Sequence, residues 1–212
     1  MMTYSFYLIA LLVAIVTALT LPKLIRMAEK NVEDSYHEIL NDPICIEKTW
    51  LLSILIIALP CSIFFVATEN APKSLCILFL GVIGYIDLKR NWVPDFLIYT
   101  FTFFSLFYLM DDITHNKETI NIIINIITFI FPLIVFNLLG LFTSTKTFIA
   151  SGDFYIVIPL ALWIGDTTLI LVSSVSILTA VIIGLISKKE SLPFTPIIFF
   201  YSFIDILLNQ IL

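Results

Sequence analysis

The sequence predicts an all-α membrane protein crossed by about eight helices, with both ends of the chain on the outer side. Three observations predict it. Apolar residues make up 60 % of the chain and charged residues only 13 %, against about 25 % charged residues in soluble domains. Mean hydropathy is +1.07, and long uncharged runs recur along the whole length. Basic residues are concentrated in alternate connecting segments. The chain reads as a single membrane domain, 1–212, with no room for a large soluble module.

The elements follow in order. The first apolar run, 4–21, has no basic residue before it, and Lys23 and Arg26 come after it. A signal peptide carries its positive charge ahead of its apolar core. This run is therefore expected to be a retained helix that starts outside. A polar loop, 22–48, comes next. Its Lys23, Arg26, Lys30 and Lys48 stand against Glu29, Glu33, Asp34, Glu38, Asp42 and Glu47, a balance of −2. Such a loop is either a solvated face or an acidic surface for a basic partner. The second span is 49–67. The third is 74–92, where Pro94 prevents much continuation. The fourth is 95–110 and the fifth 119–142. A short sixth, 153–164, contains Pro159, and the seventh and eighth are 167–186 and 194–212. A crossing needs about 20 residues, or fewer where neighbouring protein shields it.

Charge sets the orientation. With the first residue outside, the inner segments are 22–48, 88–94, 143–152 and 187–193. They hold Lys23, Arg26, Lys30, Lys48, Lys89, Arg90, Lys146, Lys188 and Lys189, and the outer segments hold only Lys73 and Lys117. Nine against two obeys the positive-inside rule. Trp50 and Trp92 fall at the expected inner interface and Trp163 at the outer one, as belt aromatics do.

Within this frame two carboxylates stand out. Asp87 lies about one turn inside the end of the third span, and Asp153 begins the sixth. A carboxylate costs on the order of 2.5–3.5 kcal/mol at a bilayer centre and less near the edge, so it usually has a partner or a task. One of these helices runs inward and the other outward, so both acids are expected near the cytoplasmic face at similar depth. Two carboxyl groups held close do not both ionise easily. One keeps its proton while the other stays charged, and the pair supplies an acid and a base together. That chemistry suits peptide hydrolysis without a metal. Arg90 shares the face of Asp87 at i+3. Gly152 lets backbone approach closely, and Gly81 and Gly84 allow tight helix packing.

Plainer readings stand beside this one. Asp153 and Asp95 are also good helix caps, Asp87 is also a juxtamembrane charge for Arg90, and Asp205 sits in the last apolar run without an evident task. Cys45, Cys61 and Cys76 show no paired spacing, and His37 and His115 fall on opposite sides. No zinc or haem centre, no disulfide framework and no histidine-activated nucleophile is expected. No cofactor and no nucleic-acid partner is implied.

Three segments together resemble the type IV prepilin peptidases, the GxGD class of intramembrane aspartyl proteases. Tyr85-Ile-Asp-Leu-Lys-Arg-Asn-Trp-Val-Pro-Asp95 is similar to that family's first-aspartate motif, in which an Asp is followed by Pro and then Asp or Asn. Ala150-Ser-Gly-Asp153 stands at the place of GxGD. Lys188-Lys-Glu-Ser-Leu-Pro-Phe-Thr-Pro196 resembles its Pro-Phe-Gly-Pro segment before the last helix. The resemblance covers roughly 75–212, the expected peptidase region. It implies that Asp87 and Asp153 are the catalytic pair, with Arg90, Pro94 and Asp95 supporting them. It further implies that Gly152, Lys188, Lys189, Pro193, Phe194 and Pro196 lie on the substrate side. Type IV pilin or pseudopilin precursors would be the partners, cut at a short basic leader beside the lipid bilayer of the bacterial inner membrane. The chain departs from the pattern at Ala150 and at Thr195, where the family often has glycine. Many members also carry an insert with two CxxC pairs, linked to N-methylation. The loop 22–48 holds one cysteine, so a peptidase without methyltransferase activity or zinc is expected. A proton-coupled transporter and an inactive scaffold of a pilus or secretion assembly are the rival readings.

Overall fold

The computed structural model describes residues 2–33, 49–90, 93–115, 119–144, 149, 151–164, 168–187 and 194–211. Among them every regular element is a helix: α1 (Met2–Glu33), α2 (Trp50–Thr68), α3 (Ala71–Arg90), α4 (Asp95–His115), α5 (Thr119–Ser144), α6 (Ser151–Leu160), α7 (Leu169–Ser187) and α8 (Thr195–Ile211). Trp50–Thr68, Ala71–Lys89 and Ile120–Gly140 are long and apolar enough to cross a membrane. Tyr7–Lys23, Asp95–Leu109, Leu169–Gly184 and Thr195–Asn209 are shorter apolar helices.

Each span expected from the sequence coincides with a helix, but three ends differ by four residues or more. α1 continues through Pro22 to Glu33. Proline removes one backbone bond, and the residues that follow it are mostly good helix formers. The first part of the expected loop 22–48 is therefore helical, and its remainder lies outside the described residues. α4 runs on through Asp111 and Asp112 to His115, because no Gly or Pro interrupts it. α6 ends at Leu160, directly after Pro159, and a turn over 161–163 follows.

α2 is not a uniform α-helix. Ile54–Ala58 forms a π turn, in which the Leu59 N–H donates to the Ile54 carbonyl. The cause lies in Pro60, which has no N–H for the Ile56 carbonyl four residues back and whose ring crowds it. α3 packs against this widened turn through Gly81. A Cβ built at Gly81 would stand 2.9 Å from the Ile56 oxygen and 3.1 Å from the Ile57 Cα. Only glycine permits this approach of backbone to backbone. The connection to α3 is tight. Glu69 adopts a left-handed φ of 52° and donates its N–H to the Phe65 carbonyl at 2.8 Å. The Asn70 side chain then accepts the Lys73 N–H at 3.1 Å, capping α3.

α3 is the central helix. Of its spanning residues 67 % are buried, against 17 % for Ile120–Gly140. It packs against α1, α2, α4 and α8. From α3 a closed ring of neighbours runs through α8, α7, α5, α6 and α4 and back to α3, with α1 and α2 set against one side. Polar links fasten the ring. Thr179 on α7 and Tyr201 on α8 share a hydrogen bond of 2.8 Å. Trp163, after α6, donates its indole N–H to Ser105 Oγ on α4 at 2.9 Å and stacks on Tyr108 and Phe104. Trp163 is thus a buried packing residue, 4 % exposed, rather than the belt aromatic expected from its position. Its N–H finds a protein partner instead of the headgroup region.

Candidate active site

The site forms where three helix ends meet. Asp87 lies three residues before the end of α3, Asp153 is the third residue of α6, and Thr195 is the first residue of α8. Asp87 is 4 % exposed, and Asp153 is half-buried. The N-terminal ends of α6 and α8 both point partial positive charge at this place, which favours carboxylates there.

Thr195 joins the pair. Its backbone N–H donates to Asp87 Oδ2 at 3.2 Å, and its hydroxyl donates to Asp153 Oδ1 at 3.1 Å. The local sequence explains why the N–H needs an outside acceptor. The Phe194 carbonyl accepts from Ile197 and Ile198, both at 3.1 Å, so Phe194 occupies the cap position of α8. A phenylalanine side chain cannot cap the first N–H groups. Asp87, 108 residues away, supplies the missing acceptor. Pro196 follows, has no N–H to satisfy, and suits the first turn of a helix.

Packing sets the register of α3 on α8. A Cβ at Gly84 would stand 3.6 Å from the Pro196 Cα and 3.8 Å from the Phe199 ring. Gly84 therefore brings α3 onto the start of α8 one turn before Asp87. On the other side Asn137 of α5 holds the strand of backbone that leads into α6. Its amide donates to the Ile149 carbonyl at 3.0 Å and accepts the Ile149 N–H at 2.8 Å. Asp153 follows four residues later.

The remaining expected residues fall as follows. Gly152 is the second residue of α6, and Phe194 and Pro196 flank Thr195. Pro94 is buried, and its carbonyl accepts the Leu97 N–H at 3.0 Å, so it caps α4. Asp95 is exposed in the first turn of α4. Arg90 ends α3, and its side chain lies outside the described residues, as do Ala150, Lys188, Lys189 and Pro193. Asp153 sits inside the first turn of α6 rather than at its cap, with its side chain turned to Thr195. Asp205 is 8 % exposed and accepts from the Asn209 amide at 3.1 Å. It lies ten residues beyond Thr195, about 15 Å along α8, and so outside this cluster. Sequence reasoning missed Thr195 and Asn137 as organisers. Thr195 was legible only as a departure from glycine, and Asn137 carried no signal beyond being an amide in an apolar run.

Two carboxyl groups gathered at one end of a bundle of apolar helices, each hydrogen-bonded to Thr195, belong to a membrane protein. A model of the type IV leader peptidase family matches residues 74–185, just over half of the chain, and the chain belongs to that family. Membership implies a peptidase, aspartic in type as in that family. No curated protein and no solved structure matches the chain.

Proposed function

We propose that this protein is a multi-pass aspartyl endopeptidase of the bacterial inner membrane, with Asp87 and Asp153 as its catalytic pair. It removes the short basic leader of type IV pilin or pseudopilin precursors at the cytoplasmic face, without N-methyltransferase activity. The observation that carries this reading is the pair of hydrogen bonds that Thr195 donates, one to each aspartate, which ties two acids from distant parts of the chain into one cluster.

In the reaction one carboxylate takes a proton from water as the water oxygen attacks the scissile carbonyl carbon. The other, protonated, hydrogen-bonds the carbonyl oxygen. The C–N bond then breaks, and the proton passes to the departing amine. With eight crossings and both termini outside, the shared end of α3, α6 and α8 lies on the inner side, whose segments carry nine of the eleven basic residues. The substrate side comprises Gly152, Lys188, Lys189, Pro193, Phe194 and Pro196, and Arg90, Pro94 and Asp95 support the pair. A carrier site would sit near the bilayer midplane, whereas both acids here lie within three residues of a helix end.

The test is a processing assay in membranes with a type IV prepilin. Asp87→Asn and Asp153→Asn are each expected to lower cleavage by at least about 10³-fold, since neither leaves an acid–base pair. Full processing by both variants, or none by the unaltered protein, refutes the proposal.

A further inference from the structure

We infer that Thr195 is a positioning residue of the peptidase, and that its hydroxyl holds the Asp153 carboxyl in working register with Asp87. The inference rests on the reading of those two aspartates as the catalytic pair. Thr195 lies beyond the segment that the family model matches.

Four observations carry it. Thr195 is 1 % exposed, so its bonds are not in ready exchange with water. They reach groups 108 and 42 residues away in sequence, on two different helices. The backbone that makes them is stiff. Phe194 accepts two helical N–H groups on one side of it, Pro196 fixes φ on the other, and the β-branched side chain has few rotamers. The two bonds also differ in kind. Any residue but proline at 195 supplies the N–H to Asp87, but only a hydroxyl of threonine length reaches Asp153 Oδ1 in the observed way. The glycine of the resembling segment would keep the first bond and lose the second. Loss of the hydroxyl therefore removes the tie from Asp153 to Thr195 while the tie to Asp87 stays. A displacement of about 1 Å at reacting groups can cost 10²-fold in rate.

The experiment uses the full chain in proteoliposomes with a prepilin precursor, comparing Thr195→Val, Thr195→Ala and Thr195→Ser with the unaltered protein and Asp87→Asn. Thermal midpoints in detergent establish which variants fold. The valine and alanine variants are expected to lose about 10–100-fold in kcat with KM within twofold, and the serine variant to recover most of the rate. A folded valine or alanine variant within twofold of normal kcat overturns the inference. So does a serine variant no faster than alanine. If both hydroxyl-free variants fail to fold while serine folds, the hydroxyl is a folding strut and the inference also falls. If the unaltered protein cuts nothing, or Asp87→Asn cuts normally, the peptidase reading itself has failed and takes the inference with it.

Discussion

Gly81 and Gly84 lie one turn apart on α3 and meet different neighbours, so the same substitution should have different effects at each. At Gly81 a methyl group meets the Ile56 oxygen at 2.9 Å and the Ile57 Cα at 3.1 Å, both of them backbone atoms that cannot swing aside. Gly81→Ala is expected to cost roughly 1–3 kcal/mol, as overpacking does. At Gly84 the nearest atom is at 3.6 Å, an ordinary contact. Gly84→Ala is expected to stay within about 1 kcal/mol of the unaltered protein, because alanine is the better helix former. Unfolding midpoints in detergent check both, and a Gly84 variant that loses more than the Gly81 variant contradicts this packing. The sequence announces both glycines as close-packing positions. It does not say which neighbour each one meets, because that depends on Pro60 and the π turn it induces in another helix.

At the scale of elements, the eight helical segments were legible because apolar runs are separated by charged, Pro- or Asp-containing stretches. Their ends were less so. Pro22 looks like a stop and is not one, since a single lost backbone bond is outweighed by the helix formers after it. The approach of α6 to α5 was not legible at all. It depends on Asn137, whose amide pairs with both backbone groups of Ile149 as a neighbouring strand would. Removing both bonds with Asn137→Leu, close in size, is expected to cost about 2 kcal/mol at roughly 1 kcal/mol per bond. Because Ile149 leads directly into Asp153, precursor processing should fall as well. A leucine variant with unchanged midpoint and unchanged processing would show that Asn137 does not hold this end of α6. The two aspartates were legible for a different reason: a carboxylate in an apolar run is costly enough to be conspicuous. Thr195 was not, since an uncharged hydroxyl in a Pro-containing turn is unremarkable until the fold brings it between them.

For the whole molecule the decisive matter is orientation. The proposed topology puts the site end of the bundle on the side whose connecting segments carry nine of the eleven basic residues. The three native cysteines offer a direct check. Cys61 and Cys76 are buried in the helix bundle, and Cys45 belongs to the segment between α1 and α2. In intact cells a membrane-impermeant maleimide is expected to leave the protein unlabelled. After permeabilisation it should modify Cys45 alone. Labelling of Cys45 from outside would invert the bundle and place the aspartates on the wrong side for a cytoplasmic leader peptide.

The position of Thr195 at the start of α8 has a consequence for biosynthesis. Asp87 and Asp153 are both synthesised and inserted before the residue that links them exists. A ribosome-bound or prematurely terminated chain carries both acids without the two hydrogen bonds from Thr195. On the proposed function, proteolytic competence is then expected only once α8 has packed against α3 and α6, which keeps half-made copies from cutting their surroundings.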